Sequence, residues 1–332
     1  MLWGKLNLTL DYYWERRKDI LIQRSSLPSM AGFDASIYAN MGEMDNKGVD
    51  ANLEYQTRIG NKVGLRLFGN LTYSKNKIVC RDEPAMQYAY QKSEGTRYGE
   101  FYGYIAEGYF QSEEEIKKSP RQMRELAPGD IKYKDLNDDG VIDANDQCYL
   151  GKSWFPSWSY GMGFNINYHN FDLALFFQGV SDVSIMANGG SIDTGNGDWG
   201  ASGVGIVPFT GMGLNPSNVI TKALDRWTAD NPRADAWYPR MTANATTNDN
   251  NYVNSTHWLK DGSYLRLKQA SLGYTLENKK LMDKGIEYLY FYLSGQNLLT
   301  FSKFKLWDPE LGSNGAKYPL SRMVTLGMRV SF

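Results

Sequence analysis

The chain has 332 residues, of which 14% are aromatic and 33 are glycine, with 36 basic and 37 acidic side chains. No stretch approaches the roughly 20 consecutive apolar residues of a membrane-spanning helix, so a helical membrane protein is excluded. The even charge balance excludes a strong overall field, and we expect no nucleic-acid partner. Two cysteines, Cys80 and Cys148, are too few for a disulfide scaffold, and their pairing stays open.

Apolar and polar residues alternate with a period of two in eight segments, which predicts strands whose two faces meet different surroundings. The predicted strands are 6–14, 49–56, 63–74, 158–168, 171–177, 264–274, 289–293 and 324–332. In the sixth strand the apolar set shifts between Leu267 and Ala270, which predicts a β-bulge.

The connections between these strands alternate in length. Short connections are predicted at 60–61, 169–170 and 276–285, and long polar ones at 17–47, 76–156, 181–262 and 302–322. Outer-membrane barrels have this asymmetry, whereas a soluble sandwich or barrel would also alternate along each strand but without such parity. The pattern therefore favours a membrane barrel, with Tyr168, Phe171, Tyr274 and Phe332 in an aromatic girdle at one rim.

Five ordered blocks carry a resemblance to a known family. They are 46–50, 101–110, 129–140, 263–274, and 294–299 followed by 308–310. Together they resemble the C-terminal barrel region of SusC/RagA-type TonB-dependent outer-membrane transporters of the Bacteroidetes. The resemblance spans nearly the whole chain, whereas a signal sequence, a plug domain, a TonB-binding segment and earlier strands are missing.

The resemblance implies an all-β fold: residues 1–332 would form the C-terminal part, about eight strands, of an antiparallel transmembrane β-barrel with about 22 strands and long extracellular loops. The eight strands could instead close as a small barrel, but open edges are preferred because the family pattern continues upstream of Met1. Since Met1 is followed directly by a strand pattern and not by a signal peptide, we expect a fragment of an exported protein.

The same resemblance implies a location and partners. The location would be the bacterial outer membrane, in contact with lipid. The partners would be a SusD-like surface lipoprotein, the TonB-ExbB-ExbD complex acting through the absent N-terminal region, and the barrel-assembly machinery. An assembly signal for that machinery is predicted in the last strand, where apolar residues occupy every second position up to the final one. These residues are Val324, Leu326, Met328, Val330 and Phe332.

Residues 135–146, within the predicted extracellular loop 76–156, match the twelve-residue calcium loop. The pattern places oxygen donors at its positions 1, 3, 5, 7, 9 and 12. These positions are Asp135, Asn137, Asp139, Val141 through its carbonyl, Asp143 and Asp146. Gly140 would permit the sharp turn. Because position 12 is Asp and not Glu, and because such clusters also form plain acidic turns, both interpretations stay open.

The predicted function is TonB-dependent import of a glycan, oligosaccharide or peptide, to which this chain would contribute barrel wall and outer loops. The alternative is a soluble or surface carbohydrate-binding β-module. No paired nucleophile and base is visible, and neither His169 nor His257 has ligand spacing, so no catalytic residue is assigned. Substrate-binding residues are not assigned, but loop aromatics could stack on sugars or pack on each other. They are Trp199, Trp227, Trp237, Tyr238, Trp258 and Trp307.

Overall fold

The computed structural model describes residues 4–26, 37–60, 62–188, 220–241, 250–315 and 317–332. In chain order its strands are β1 (Leu6–Gln23), β2 (Tyr38–Ile59), β3 (Val63–Cys80), β4 (Glu100–Gly103), β5 (Ala106–Tyr109), β6 (Ile131–Tyr133), β7 (Cys148–Ser153), β8 (Trp158–Tyr168), β9 (Phe171–Ser181), β10 (Ser184–Met186), β11 (Leu259–Asp261), β12 (Tyr264–Leu276), β13 (Tyr288–Ser302) and β14 (Met323–Ser331). The short helices are α1 (Glu113–Lys118) and α2 (Lys279–Met282). Within the described ranges, no helix has the length and apolar character needed to cross a membrane.

Eight of these strands form one antiparallel sheet in the order β1-β2-β3-β8-β9-β12-β13-β14. Each corresponds to one of the eight segments predicted from alternation, the last ending one residue earlier than predicted, so the predicted all-β architecture is confirmed. The predicted bulge is also present, because the register of β12 shifts between Leu267 and Gln269 against both of its neighbours. The connection between β12 and β13 contains α2, while β8 and β9 are joined by His169 and Asn170 alone.

The first two strands are much longer than alternation predicted, so the connection predicted at 17–47 is wrong in extent. β1 continues to Gln23 and β2 begins at Tyr38. The added part is polar: the Arg16 guanidinium lies 3.5 Å from Glu43 and 3.3 Å from Asp45 across the strand pair. Backbone pairing and cross-strand charges extend the ladder beyond the apolar residues, where a periodic apolar signal is absent.

The sheet is open. β1 and β14 stand at the two ends of the strand order, and no pairing among the described residues joins them. The eight strands therefore do not close as a small barrel. Each edge strand leaves a row of backbone donors and acceptors available to a further strand.

The buried core lies in the loops and not on the sheet. The connections after β3 and β9 contain three small two-stranded sheets, formed by β4 with β7, β5 with β6, and β10 with β11. Side chains of these two connections form one apolar cluster, which we call the loop core. Its buried members are Phe101, Tyr104, Tyr109, Ile131, Tyr133, Ile142, Met186, Ala223, Trp227, Ala236, Tyr238 and Trp258.

Candidate functional site

The apolar residues of neighbouring strands share one face of the main sheet. Residues directly opposite each other in a ladder project to the same side. Leu8 lies opposite Leu53 in β1 and β2. At the other end of the sheet, Leu293 lies opposite both Leu272 and Leu326. The separately predicted apolar rows thus join into a single surface, which we call the apolar face.

The apolar face is open to its surroundings. Leu10 is 66% exposed and Leu326 is 81% exposed, and further large apolar side chains on the same strands are exposed as well. Soluble proteins rarely leave contiguous apolar patches larger than a few hundred Å² uncovered. A surface spread over eight strands therefore has the character of one that contacts hydrocarbon.

Three of the four predicted girdle residues lie side by side. Tyr168 is opposite Phe171, and Phe171 is opposite Tyr274, with their two ring centroids 4.7 Å apart. Phe291, opposite Tyr274, continues the row. The fourth predicted residue, Phe332, is 84% exposed and follows the last residue of β14.

The opposite face of the sheet is polar. Asn52, Asn70, Gly161 and Gln178 face one another in a row across β2, β3, β8 and β9. Together with neighbouring polar residues they line a depression of about 640 Å³. Asn and Gln side chains of this kind suit a water-filled or plugged lumen and not lipid.

Glycines on the polar face make room for aromatic rings of the next strand. A Cβ at Gly163 would lie 2.5 Å from the ring of Phe68, which is directly opposite in β3. A Cβ at Gly327 would approach the opposite Tyr292 in the same way. These glycines are packing positions inside strands, so the Gly161-Met162-Gly163 segment is not a phosphate loop.

The predicted assembly-signal residues lie on or just beyond the edge strand. Val324, Leu326 and Met328 are all more than half exposed and belong to the apolar face. Val330 pairs with Leu289 near the end of β14. Their placement leaves them accessible to another protein, and their role as an assembly signal stays a prediction.

The predicted calcium loop is a hydrogen-bonded turn. The Asp135 carboxylate accepts from the backbone N–H groups of Asp138 and Gly140, at 2.7 and 2.8 Å. Asp146, fully buried, accepts from the N–H groups of Leu136 and Asp143.

Other oxygens predicted to bind calcium also accept hydrogen bonds within the loop. The Asp139 carboxylate accepts from the Val141 N–H and the Asn137 amide, and the Asp143 carboxylate accepts from the Asn145 N–H. Among the described residues, no group of three Asp, Glu, His or Cys side chains is gathered closely enough to hold a metal ion. Calcium binding stays a prediction.

Two of the family-like blocks meet at one ionic cluster around a buried arginine. Arg266 in β12 is 1% exposed, and its Nη2 donates to both carboxylate oxygens of Asp308, at 2.6 and 2.8 Å. The hydroxyl of Tyr264 donates to Glu310 at 2.7 Å. Blocks 263–274 and 308–310, distant in sequence, thus fasten the loop after β13 to the sheet.

Another block supplies a buried carboxylate in the loop core. Asp130 is fully buried, and its Oδ1 lies 2.7 Å from Nε of Arg240 and accepts from the Asn251 amide at 2.7 Å. Gly129, with φ of +92°, lets the chain pass so close to Trp227 that a Cβ would lie 2.2 Å from the indole. Sequence reasoning found the Gly-Asp motif but not this role, because its partners lie far along the chain.

The loop aromatics divide into two groups. Trp227, Tyr238 and Trp258 are buried in the loop core, so the packing alternative holds for them and they do not present rings to a ligand. Trp237 and Trp307 are half-buried. Trp199 lies outside the described residues.

Neither the histidines nor the cysteines form a reactive site in the described part of the chain. Nε2 of His257 lies 3.2 Å from the Trp237 carbonyl oxygen, and burial, with Lys260 nearby, lowers the pKa of His257 to about 4. His169 occupies the β8–β9 turn with φ of 51°. Cys80 and Cys148 are both free thiols.

Comparison with known proteins gives related chains. The chain is 27% identical over 357 residues to TonB-dependent receptor P3 of Formosa agariphila, a match that covers 99% of this chain and 32% of the relative. It is 22% identical to the TonB-dependent receptor SusC of Bacteroides thetaiotaomicron, covering 99% of this chain and 30% of SusC. No family model matches.

A solved structure shares the fold. The structure of the RagAB peptide importer in its open-open state superposes with a TM-score of 0.71 and 23% identity, covering 99% of this chain and 33% of that one. The chain thus spans about one third of the length of the proteins it matches. The curated relatives are receptors and not enzymes, in agreement with the absence of a predicted catalytic role. The chain is thus similar over nearly its whole length to TonB-dependent receptors, SusC among them, and it shares the fold of about one third of the RagAB importer chain.

Proposed function

We propose that the protein imports a nutrient, a glycan or a peptide, across the bacterial outer membrane in a TonB-dependent manner. In this proposal the main sheet is part of the barrel wall. The observation that carries the proposal is the pair of unlike faces, since Leu53 belongs to the apolar face while its neighbour Asn52 belongs to the polar row. The named relatives support the same class of protein.

The proposal includes partners. The long connections would lie outside the cell, where a SusD-like surface lipoprotein would cover them. TonB, ExbB and ExbD would act through a plug outside this chain, and the barrel-assembly machinery would recognise Val324, Leu326, Met328, Val330 and Phe332. The remaining strands, about 14 if the barrel has about 22, would pair with the open edges at β1 and β14.

Growth and uptake assays test the proposal. Cells lacking the protein should fail to grow on, and to accumulate, at least one oligosaccharide or peptide that the parent strain uses. An uncoupler that removes the proton-motive force should abolish uptake in the parent. Uptake that is unchanged by deletion and by the uncoupler, over a panel of both nutrient classes, would contradict the proposal.

The alternative of a soluble carbohydrate-binding module makes the opposite prediction about solubility. A soluble module would have to cover its apolar face or expose it to water. The exposure of large apolar side chains such as Leu326 argues against a soluble module. Cell fractionation separates the two: a module is released into buffer, whereas a barrel stays in the membrane until detergent is added.

We further propose that Ca²⁺ stiffens the loop formed by 135–146. Asp135, Asn137, Asp139, Asp143, Asp146 and the Val141 carbonyl would supply its oxygens. Support comes from the Gly140 N–H bond to Asp135, which folds the first half of the loop into a compact turn. Binding would require the carboxylates to turn from backbone donors toward the ion.

Terbium luminescence sensitised by nearby tyrosines tests the calcium proposal. Signal that Ca²⁺ displaces, and that the Asp135→Asn and Asp139→Asn substitutions remove, is expected. Glu113→Gln and Glu114→Gln in α1 should leave it intact, because those residues are acidic but outside the loop. An identical signal in both pairs of variants would mean that the ion binds elsewhere.

A further inference from the structure

A second cavity of about 800 Å³ lies where the loops meet the sheet. Its walls come from the strand β11 and the segment just after β13, together with Trp237, Gly315 and residues near Ile220. The volume is within the ordinary range for small-ligand sites. We call it the basic cavity.

The basic cavity is lined by four lysines and one acidic residue among the described residues. These are Lys222, Lys260, Lys303, Lys305 and Asp261. Lys222 is paired with Asp225 at 2.8 Å, and Lys303 lies 3.8 Å from Asp261. Since the chain as a whole is almost neutral, this local excess of ammonium groups is a feature of the cavity and not of the composition.

Lys260 is held in the wall without a carboxylate. Its Nζ donates to the His257 carbonyl oxygen at 2.6 Å and lies 5.2 Å from the centre of the Trp237 ring. No carboxylate of the described ranges lies within ion-pair distance of it. Burial, with Lys222 nearby, lowers the pKa of Lys260 to about 8, so its ammonium form is disfavoured and an anion would stabilise it.

Two indole rings in fixed positions line the same cavity. Trp237 packs against Trp258 of the loop core, with ring centroids 5.4 Å apart. Trp307 donates from Nε1 to the Gly312 carbonyl oxygen at 2.8 Å, and Gly315 packs against its ring. Fixed aromatic faces suit the flat C–H faces of pyranose rings, while the lysines suit carboxylates or sulfates.

We propose that the basic cavity binds an acidic oligosaccharide, one that carries uronate or sulfate groups. The inference rests on the proposed import function, because it names the substrate class. The indole faces favour a sugar over an acidic peptide, which offers charge but no flat C–H face. The lysines favour an acidic sugar over a neutral one.

Binding of defined probes tests the inference. The protein purified in detergent from the membranes of expressing cells is titrated with hexagalacturonate, a heparin-derived hexasaccharide, neutral maltohexaose and hexaglutamate. At least one acidic hexasaccharide should bind about tenfold more tightly than maltohexaose and hexaglutamate, and its affinity should fall as salt is raised.

Exposed lysines allow a matched pair of variants. Lys303→Met with Lys305→Met should weaken the acidic hexasaccharide by about tenfold, because two ammonium groups are removed from the cavity. Lys117→Met with Lys118→Met removes the same charge from exposed positions on α1 and should leave binding unchanged.

Three results would overturn the inference. They are equal binding of maltohexaose, tighter binding of hexaglutamate, and equal losses in the two variant pairs. The import proposal is judged separately by uptake. If the cells import another nutrient through this protein while no acidic sugar binds, the inference alone fails; if the acidic sugar binds but no uptake depends on the protein, the import proposal fails.

Discussion

At the scale of single residues, the most demanding feature is the buried Arg266. Its guanidinium is 1% exposed and compensated by Asp308 and Glu310. Replacing Arg266 removes the charge-assisted hydrogen bonds to Asp308, a bond of a kind that contributes about 1.5–3 kcal/mol, and leaves two partly exposed carboxylates without a cation. Arg266→Gln should therefore lower markedly the temperature to which samples must be heated, before electrophoresis, for the compact form of the protein to disappear from the gel.

Arg16 provides the control for this prediction. It also faces two carboxylates, Glu43 and Asp45, but its side chain is 41% exposed. Exposed pairs contribute about 0–1 kcal/mol, so Arg16→Gln should change the transition little. Equal effects of the two substitutions would show that Arg266 is not buried as described.

A second residue-scale prediction concerns pH. The pKa of His257 in the folded protein, about 4, is below its usual 6.5, because burial disfavours the imidazolium. As pH falls from 6.5 toward 4 the unfolded loop takes up a proton before the folded one does, and folding of the loop core loses stability, on the order of 3 kcal/mol. Above pH 6.5 the stability is fully retained with respect to this group.

Hydrogen exchange measures that loss. Amides in 250–261 should exchange faster at pH 4.5 than at pH 7, after correction for the intrinsic rate. In a His257→Asn variant this dependence should be much smaller. If the variant keeps the full dependence, another group is responsible.

At the scale of elements, glycines on the polar face fix how neighbouring strands pack. Gly163→Val would place a branched side chain where Phe68 lies, 2.5 Å from a Cβ, and overpacking of this kind costs about 1–3 kcal/mol. The gel transition should shift to lower temperature. Ser159→Val, at an exposed position on the same face of β8, should have little effect. Similar shifts in both would refute the steric explanation.

The strands of the sheet could be predicted from sequence because a two-residue period follows directly from the two faces. The bulge after Leu267 was visible for the same reason: an inserted residue moves the apolar set to the other parity. The continuation of β1 past Trp14 was not visible, because Arg16 and its cross-strand carboxylates interrupt the apolar row. Charged residues that face each other across two strands can extend the strand pair beyond the segment in which apolar residues alternate.

The loop core and the basic cavity could not be predicted for a different reason. Their contacts join residues far apart in sequence: the Tyr109 hydroxyl donates to the Ala236 carbonyl oxygen, 127 positions away. No local period marks such contacts. The sequence shows the aromatic residues of the loops, but only the structure separates the buried Trp258 from the half-buried Trp237.

At the scale of the whole molecule, the chain has one large apolar face, one polar face and two open edges. In water such a sheet would associate through its edges and its apolar face. In the proposed barrel, lipid covers the apolar face and further strands cover the edges. The central claim is therefore that the two faces of the sheet meet different solvents.

Spin labels on β2 and β3 of the complete protein in lipid bilayers test this claim most directly. With Cys80 and Cys148 replaced by serine, single cysteines at Leu53 and Leu71 report on the apolar face, and those at Asn52 and Thr72 on the polar face. We predict that oxygen dissolved in lipid relaxes the first pair preferentially and that a water-soluble nickel complex relaxes the second. Equal accessibility of all four positions to the nickel complex would contradict the account.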